Sequence, residues 1–142
     1  MKSISTPSKG RPRPVPTKET DFFWEKASEG ALFLGKCTSC GRMVPPLSPR
    51  CPDCLGDQMS PIQCSGRATL AGRTTLHIPG YPGQDIPATL VQCAIEEDQR
   101  ILLVALDTDD VTASLGPGEP GRIGFRTDAD GSYAIVMPER AR

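Results

Sequence analysis

Two Cys-x2-Cys pairs ten residues apart, five short β-type runs after them, and abundant Gly and Pro predict a mainly β chain. The expected order is a short N-terminal helix, a zinc ribbon and a five-stranded barrel. Of 142 residues, 14 are Gly and 15 are Pro, whereas aromatic side chains make up only 5%. Such proportions suit short strands joined by turns better than a helical bundle. The expected divisions are a flexible tail over 1–16, the helix and ribbon over 17–60, and the barrel over 61–142.

Charge is unevenly placed. Five of the sixteen basic residues, Lys2, Lys9, Arg11, Arg13 and Lys18, precede every acidic residue. All seventeen acidic residues follow, so the chain from Glu19 onward is six charges negative. An acidic body repels nucleic-acid phosphates, whose binding relies on Lys and Arg displacing counterions. No apolar run approaches the ~20 residues that span a bilayer, and residues 1–18 lack the apolar segment of a secretory signal. The expectation is a cytoplasmic protein without a membrane partner.

Thr20 is placed to cap a helix over 21–29, with Asp21 complementing its positive end and Gly30 stopping it. Phe22, Phe23 and Trp24 put three large rings into one turn. Either the helix packs along the ribbon or one ring is left for a partner subunit. Residues 31–36 read as a strand entering the first cysteine pair, and the proline-rich link 43–50 leads to the second.

Cys37, Cys40, Cys51 and Cys54 have the spacing of a tetrahedral metal site. Two residues between thiols let a tight turn aim both sulfurs at one point, and two such knuckles complete a tetrahedron. Four thiolates leave no position for substrate or water, so the expected role is structural zinc. A rubredoxin-like iron centre, and with it an electron carrier, is the rival reading of the same spacing. Disulfides are disfavoured in a reducing compartment. Cys64 and Cys93 lack a patterned partner and read as small core residues.

The barrel strands are expected over 67–78, 88–96, 101–107, 122–127 and 132–137. In the first, Ala68, Leu70, Thr74, Leu76 and Ile78 are expected inside, with Arg67, Arg73 and His77 sharing the outer face. Gly72 fits a bulge where the strand curls. Residues 101–106 are apolar without a break, which suggests cover both by the barrel core and by something outside it. Asp130-Gly131 marks the last hairpin turn. Five short strands of this kind fit an oligonucleotide/oligosaccharide-binding (OB) barrel, a fold that keeps a nucleic-acid-binding module open as an alternative function.

No nucleophile–base constellation is evident, and His77 is the single histidine. Asp107, Asp109 and Asp110 read as a solvated turn, because the other ligands of a calcium loop are missing. The loop 77–87, with Pro79, Gly80, Tyr81, Pro82, Gly83 and Pro87, is a rigid segment at the end of the sheet where OB barrels often meet ligands.

The helix Phe22-Phe23-Trp24-Glu25, the knuckle Cys37-Thr-Ser-Cys40-Gly41, the run Cys51-Pro-Asp-Cys54 and the Pro79-Gly80-Tyr81 loop occur in a distinctive order. Over roughly residues 17–138 the chain resembles the zinc-ribbon/OB-fold family formerly catalogued as a domain of unknown function. It departs from that pattern at Gly118-Glu119-Pro120-Gly121, just before the fourth barrel strand. The resemblance implies a non-catalytic small subunit of a thiolase-fold enzyme, of thiolase or aldolase type, acting on acyl-CoA in a heterotetramer. It implies zinc on Cys37, Cys40, Cys51 and Cys54. Phe22, Phe23, Trp24 and Tyr81 are then candidate partner contacts. Arg67, Arg73 and His77 are candidates for a partner or for a coenzyme A ester at the interface.

Overall fold

The computed structural model describes residues 12–45, 48–128 and 131–138. Most of the expected tail and half of the Asp130-Gly131 turn lie outside them. Among the described residues one helix, α1 (Asp21–Ser28), precedes two antiparallel sheets. The ribbon sheet has β1 (Phe33–Cys37) at its centre, flanked by β2 (Met43–Val44) and β3 (Met59–Gln63). β3 is not among the strands expected from the sequence. Pro61 faces Gly35 on an edge strand, the place where a sheet tolerates a missing N–H.

The second sheet comprises β4 (Arg67–Leu76), β5 (Ala88–Ile95), β6 (Leu102–Leu106), β7 (Pro120–Asp128) and β8 (Gly131–Pro138). Its order is β6-β5-β4-β7-β8, and β6 approaches β8 to close the barrel. That is the order of an OB-like barrel. β7 begins two residues earlier than expected, at Pro120, which follows Gly118 with φ +86°. Proline is acceptable as the first residue of a strand.

One core runs through both parts. Leu32 and Leu34 from the ribbon segment pack with Ala68, Leu70, Val91, Cys93, Ile95, Ile101, Leu103, Ile123 and Val136. Phe23 joins them from α1, meeting Phe125 edge to face at 6.0 Å and Trp24 at 5.0 Å. A smaller cluster of Cys37, Val44 and Cys51, with Met59 against it, fills the ribbon.

The start of α1 corrects the expected cap. Thr20 makes no side-chain capping bond. Its hydroxyl instead accepts the Thr17 N–H at 2.9 Å, and the Thr17 carbonyl takes the Asp21 N–H at 2.8 Å, so a preceding turn serves the helix end. The other end is as expected: Gly30 has φ +87°, and the N–H groups of Gly30 and Ala31 return to the carbonyls of Ala27 and Lys26.

The bulge near Gly72 is present, and its consequence overturns the facing of half a strand. Leu70 pairs with Cys93 and Gly72 with Gln92, leaving Ala71 as the extra residue. An extra residue inverts the alternation beyond it. Ala68 and Leu70 are buried as expected. Thr74 is exposed, and Ile78 lies past the strand at 78% exposure. Arg73, expected outside with Arg67, is paired with Val91, which is 1% exposed.

β6 alternates despite its unbroken apolar sequence. Ile101, Leu103 and Ala105 are buried, whereas Leu102 and Val104 are 45% and 55% exposed. They share the outer face with half-buried Leu90 and Leu106, since Leu90 pairs with Leu106, Gln92 with Val104 and Ala94 with Leu102. Exposure on that face is greatest at Leu102 and Val104, whereas Ala94 beside Leu102 is 6% exposed.

Candidate metal centre and partner surface

β1 ends at Cys37, and the chain turns through Cys40 with the Gly41 N–H bonded to the Cys37 carbonyl. The second knuckle repeats the device, with the Leu55 N–H on the Cys51 carbonyl. These equivalent positions have φ +83° at Gly41 and +65° at Leu55. A leucine therefore occupies a left-handed backbone site that glycine occupies without strain, and it is 66% exposed. The sequence signal was available: Gly follows Cys40, but Leu follows Cys54.

The sulfurs of Cys37, Cys40, Cys51 and Cys54 all lie within 4.8 Å of one another, with Cys37–Cys54 and Cys40–Cys51 at 3.5 Å. A tetrahedron of Zn–S bonds near 2.3 Å has edges of about 3.8 Å, so the set fits zinc. All four are free thiols. The first cysteine of each knuckle is the more acidic. Backbone N–H groups of Cys40 and Ser39 bring Cys37 down to about 6, and those of Cys54 and Asp53 lower Cys51. Cys40 receives the Arg42 N–H, yet the neighbouring sulfur of Cys51 and burial push it up to about 12. These four cysteines are positioned to hold zinc, which would supply folding energy by tying the knuckles together. Among the described residues they are the one cluster of metal-ligating side chains.

The remaining candidate residues are dispersed. Phe23 is core, Trp24 is half-buried against it, and Phe22 lines a groove of about 530 Å³ between α1 and the ribbon, with Lys18, Val44, Met59 and Pro61. Arg67 makes a double contact with Glu96, at 2.7 and 3.1 Å. Arg73 lies six residues along, about 20 Å at the usual rise of a strand, and on the other face. Its Nε donates to the Thr112 hydroxyl at 3.0 Å and its guanidinium meets Asp110, with Asp107 at 3.8 Å. His77 is exposed, and Tyr81 is half-buried in a loop braced by Gly80 N–H to Gln84 Oε1 at 2.6 Å. Asp107 does not belong to a solvated turn: it is 8% exposed and accepts from Val111 and Thr112. Cys64 and Cys93 are buried, and burial pushes both up to about 11.

Comparison with known proteins follows this division. Residues 24–60 match the family model described as "ChsH2, rubredoxin-like zinc ribbon domain". Over those residues the ribbon is similar to the ChsH2 zinc ribbon. The fold as a whole is similar to a solved chain of the "Ltp2-ChsH2(DUF35) aldolase", with TM-score 0.73 over 89% of this chain and 98% of that one, at 20% identity. A "Probable enoyl-CoA hydratase alpha subunit" from Thermomonospora curvata is 24% identical over 103 residues. That match covers 71% of this chain but only 32% of the relative, so the chain spans about a third of the length of that curated protein.

Proposed function

We propose that this chain is an accessory subunit of a thiolase-fold enzyme acting on acyl-CoA, with zinc in a purely structural role. The observation that carries the reading is the half-exposed apolar row of β6 on the outer face of the sheet. Leu102 and Val104 stand side by side there, exposed by about half, next to Leu90 and Leu106. A contiguous apolar patch of this kind marks a contact surface. The ChsH2-type ribbon and the barrel similar to a chain of an aldolase with an Ltp2 component support a large catalytic partner. The enoyl-CoA hydratase relative supports a coenzyme A ester as substrate of the assembly.

In this reading the complex is a cytoplasmic heterotetramer. Phe22, Trp24 and Tyr81 are further partner contacts, and Arg67, Arg73 and His77 are the residues of this chain that reach toward coenzyme A. Phe23 is not needed, being buried against Phe125. Arg73 is held by Thr112 and Asp110 as Arg67 is by Glu96, so either arginine meets coenzyme A only by exchanging that partner. Co-expression with a thiolase-fold subunit of the same genome tests the proposal by size-exclusion chromatography. A stable complex is expected, lost in Leu102→Asp/Val104→Asp. A catalytic subunit that is soluble and fully active alone, or a complex indifferent to the double substitution, contradicts it.

A further inference from the structure

Arg42 follows the first knuckle and Asp53 sits inside the second, between Cys51 and Cys54. Arg42 Nη1 meets Asp53 Oδ1 at 2.6 Å. Among the described residues this is the one ion pair that joins the two knuckles. The backbone of Arg42 is bound into the first knuckle as well: its carbonyl accepts the Cys37 N–H at 2.8 Å, and its N–H reaches the Cys40 sulfur. A rigid path therefore runs from two sulfurs, through Arg42, to the loop that carries the other two.

The arginine is held rather than solvated. Its side chain is 14% exposed, against 51% for Asp53, and its Nε is buried without a hydrogen-bond partner. An unpaired buried donor is unfavourable, so the Arg42–Asp53 contact is made at a cost in stability. The barrel supplies complementary charge. Asp98, whose side chain is 11% exposed in the β5–β6 turn, attracts Arg42, and Arg100, paired with Asp98 at 2.9 Å, attracts Asp53. The two ion pairs, Arg42–Asp53 and Arg100–Asp98, are thus close enough for each charge of one to attract the opposite charge of the other.

Four sulfurs from two separate loops stay within 4.8 Å of one another only while the loops keep their mutual position. We propose that Arg42 is a positioning residue for the metal centre: by gripping Asp53 it clamps the second knuckle to the first, keeps the four sulfurs at ligand spacing, and slows release of the ion. Partners one shell beyond metal ligands commonly change metal affinity by about 10–100-fold. This role goes beyond the subunit reading and does not depend on it.

The test uses the full zinc-loaded chain and the variants Arg42→Ala, Arg42→Lys, Asp53→Asn and Arg42→Ala/Asp53→Asn. Zinc release to a chromogenic chelator is the main readout, and the d–d bands of the cobalt-substituted protein report the tetrahedral geometry. Release is expected to quicken about 10–100-fold in Arg42→Ala and Asp53→Asn, with no further change in the double variant. Arg42→Lys should recover much of the loss, and the cobalt bands and β-type circular dichroism should persist throughout. Asp53→Asn is the safeguard, since a half-exposed isosteric change spares the fold. Parental release in Asp53→Asn overturns the clamp, leaving Arg42 at most a counter-charge. Additive effects in the double variant, or faster release only in step with a lower melting temperature, overturn it too.

Discussion

Asp107 accepts both the backbone N–H and the hydroxyl of Thr112, at 2.9 and 2.5 Å, and Thr112 is wholly buried. The same carboxylate takes the Val111 N–H at 3.0 Å, and Arg73 donates to the Thr112 hydroxyl from across the barrel end. Asp107 thus caps the turn that follows β6 and ties it to β4. Burial alone would raise its pKa, but the Thr112 and Val111 donors and the Arg73 charge outweigh it and hold the group below its ordinary 3.8.

A depressed carboxylate stabilises the fold fully above its unfolded value, and that contribution fades as pH falls through the folded value. Asp107→Asn should therefore lower the urea midpoint at pH 6. The gap from the parent should shrink as the pH drops below 3.8. Asp107→Ala, which removes the cap, is expected to cost about 1–3 kcal/mol near neutral pH. A gap that stays constant down to pH 2.5 contradicts the assignment.

Removal of zinc should be felt beyond the ribbon. Apparent binding energies of about 10–16 kcal/mol hold such sites together, and here Leu32 and Leu34 carry the effect into the barrel core. Elemental analysis is expected to give one zinc per chain. Chelation should expose four fast-reacting thiols to a disulfide reagent, while Cys93, buried and pushed up to about 11, reacts last. Six thiols reacting together in the loaded protein would contradict both the site and the packing.

Phe23 is the ring on which helix and barrel meet. Its edge-to-face contacts with Trp24 and Phe125 join α1 to β7, and it is 8% exposed. Phe23→Ala should cost about 3–5 kcal/mol, whereas Phe22→Ala should change the melting temperature little. Thermal unfolding of the two loaded variants distinguishes them. If Phe23 were a partner contact, the order would be reversed.

The parts legible in the sequence are those set by local rules. Cysteine spacing places the metal ligands, Gly30 marks the end of α1, and alternation locates the barrel strands to within two residues or so. What was hidden depends on pairing. β3 is an edge strand, and only its position beside Gly35 makes Pro61 acceptable. Gly72 advertised a bulge, but which way Arg73 would then face depended on the residue skipped in the ladder, Ala71. The Arg42–Asp53 link spans eleven positions with no periodic signal, and the Asp107 cap involves a threonine that nothing in the local pattern distinguishes.

Leu55 makes the last prediction. Gly41 and Leu55 hold equivalent left-handed positions after their knuckles, and a Cβ at Gly41 would meet nothing within 4 Å. Gly41→Ala is therefore a test of backbone strain alone and should cost about 1 kcal/mol. At Leu55 the strain is already present, so Leu55→Gly relieves about 1–2 kcal/mol in the folded state. Glycine returns about 0.5–1 kcal/mol of that to the unfolded chain, leaving the variant neutral or slightly more stable. A leucine 66% exposed at a site where glycine serves as well has no role in stability. If it is kept for contact, Leu55→Gly should leave the melting temperature of the loaded subunit unchanged or higher while reducing recovery of the complex. A lower melting temperature would show instead that Leu55 packs usefully within its own chain.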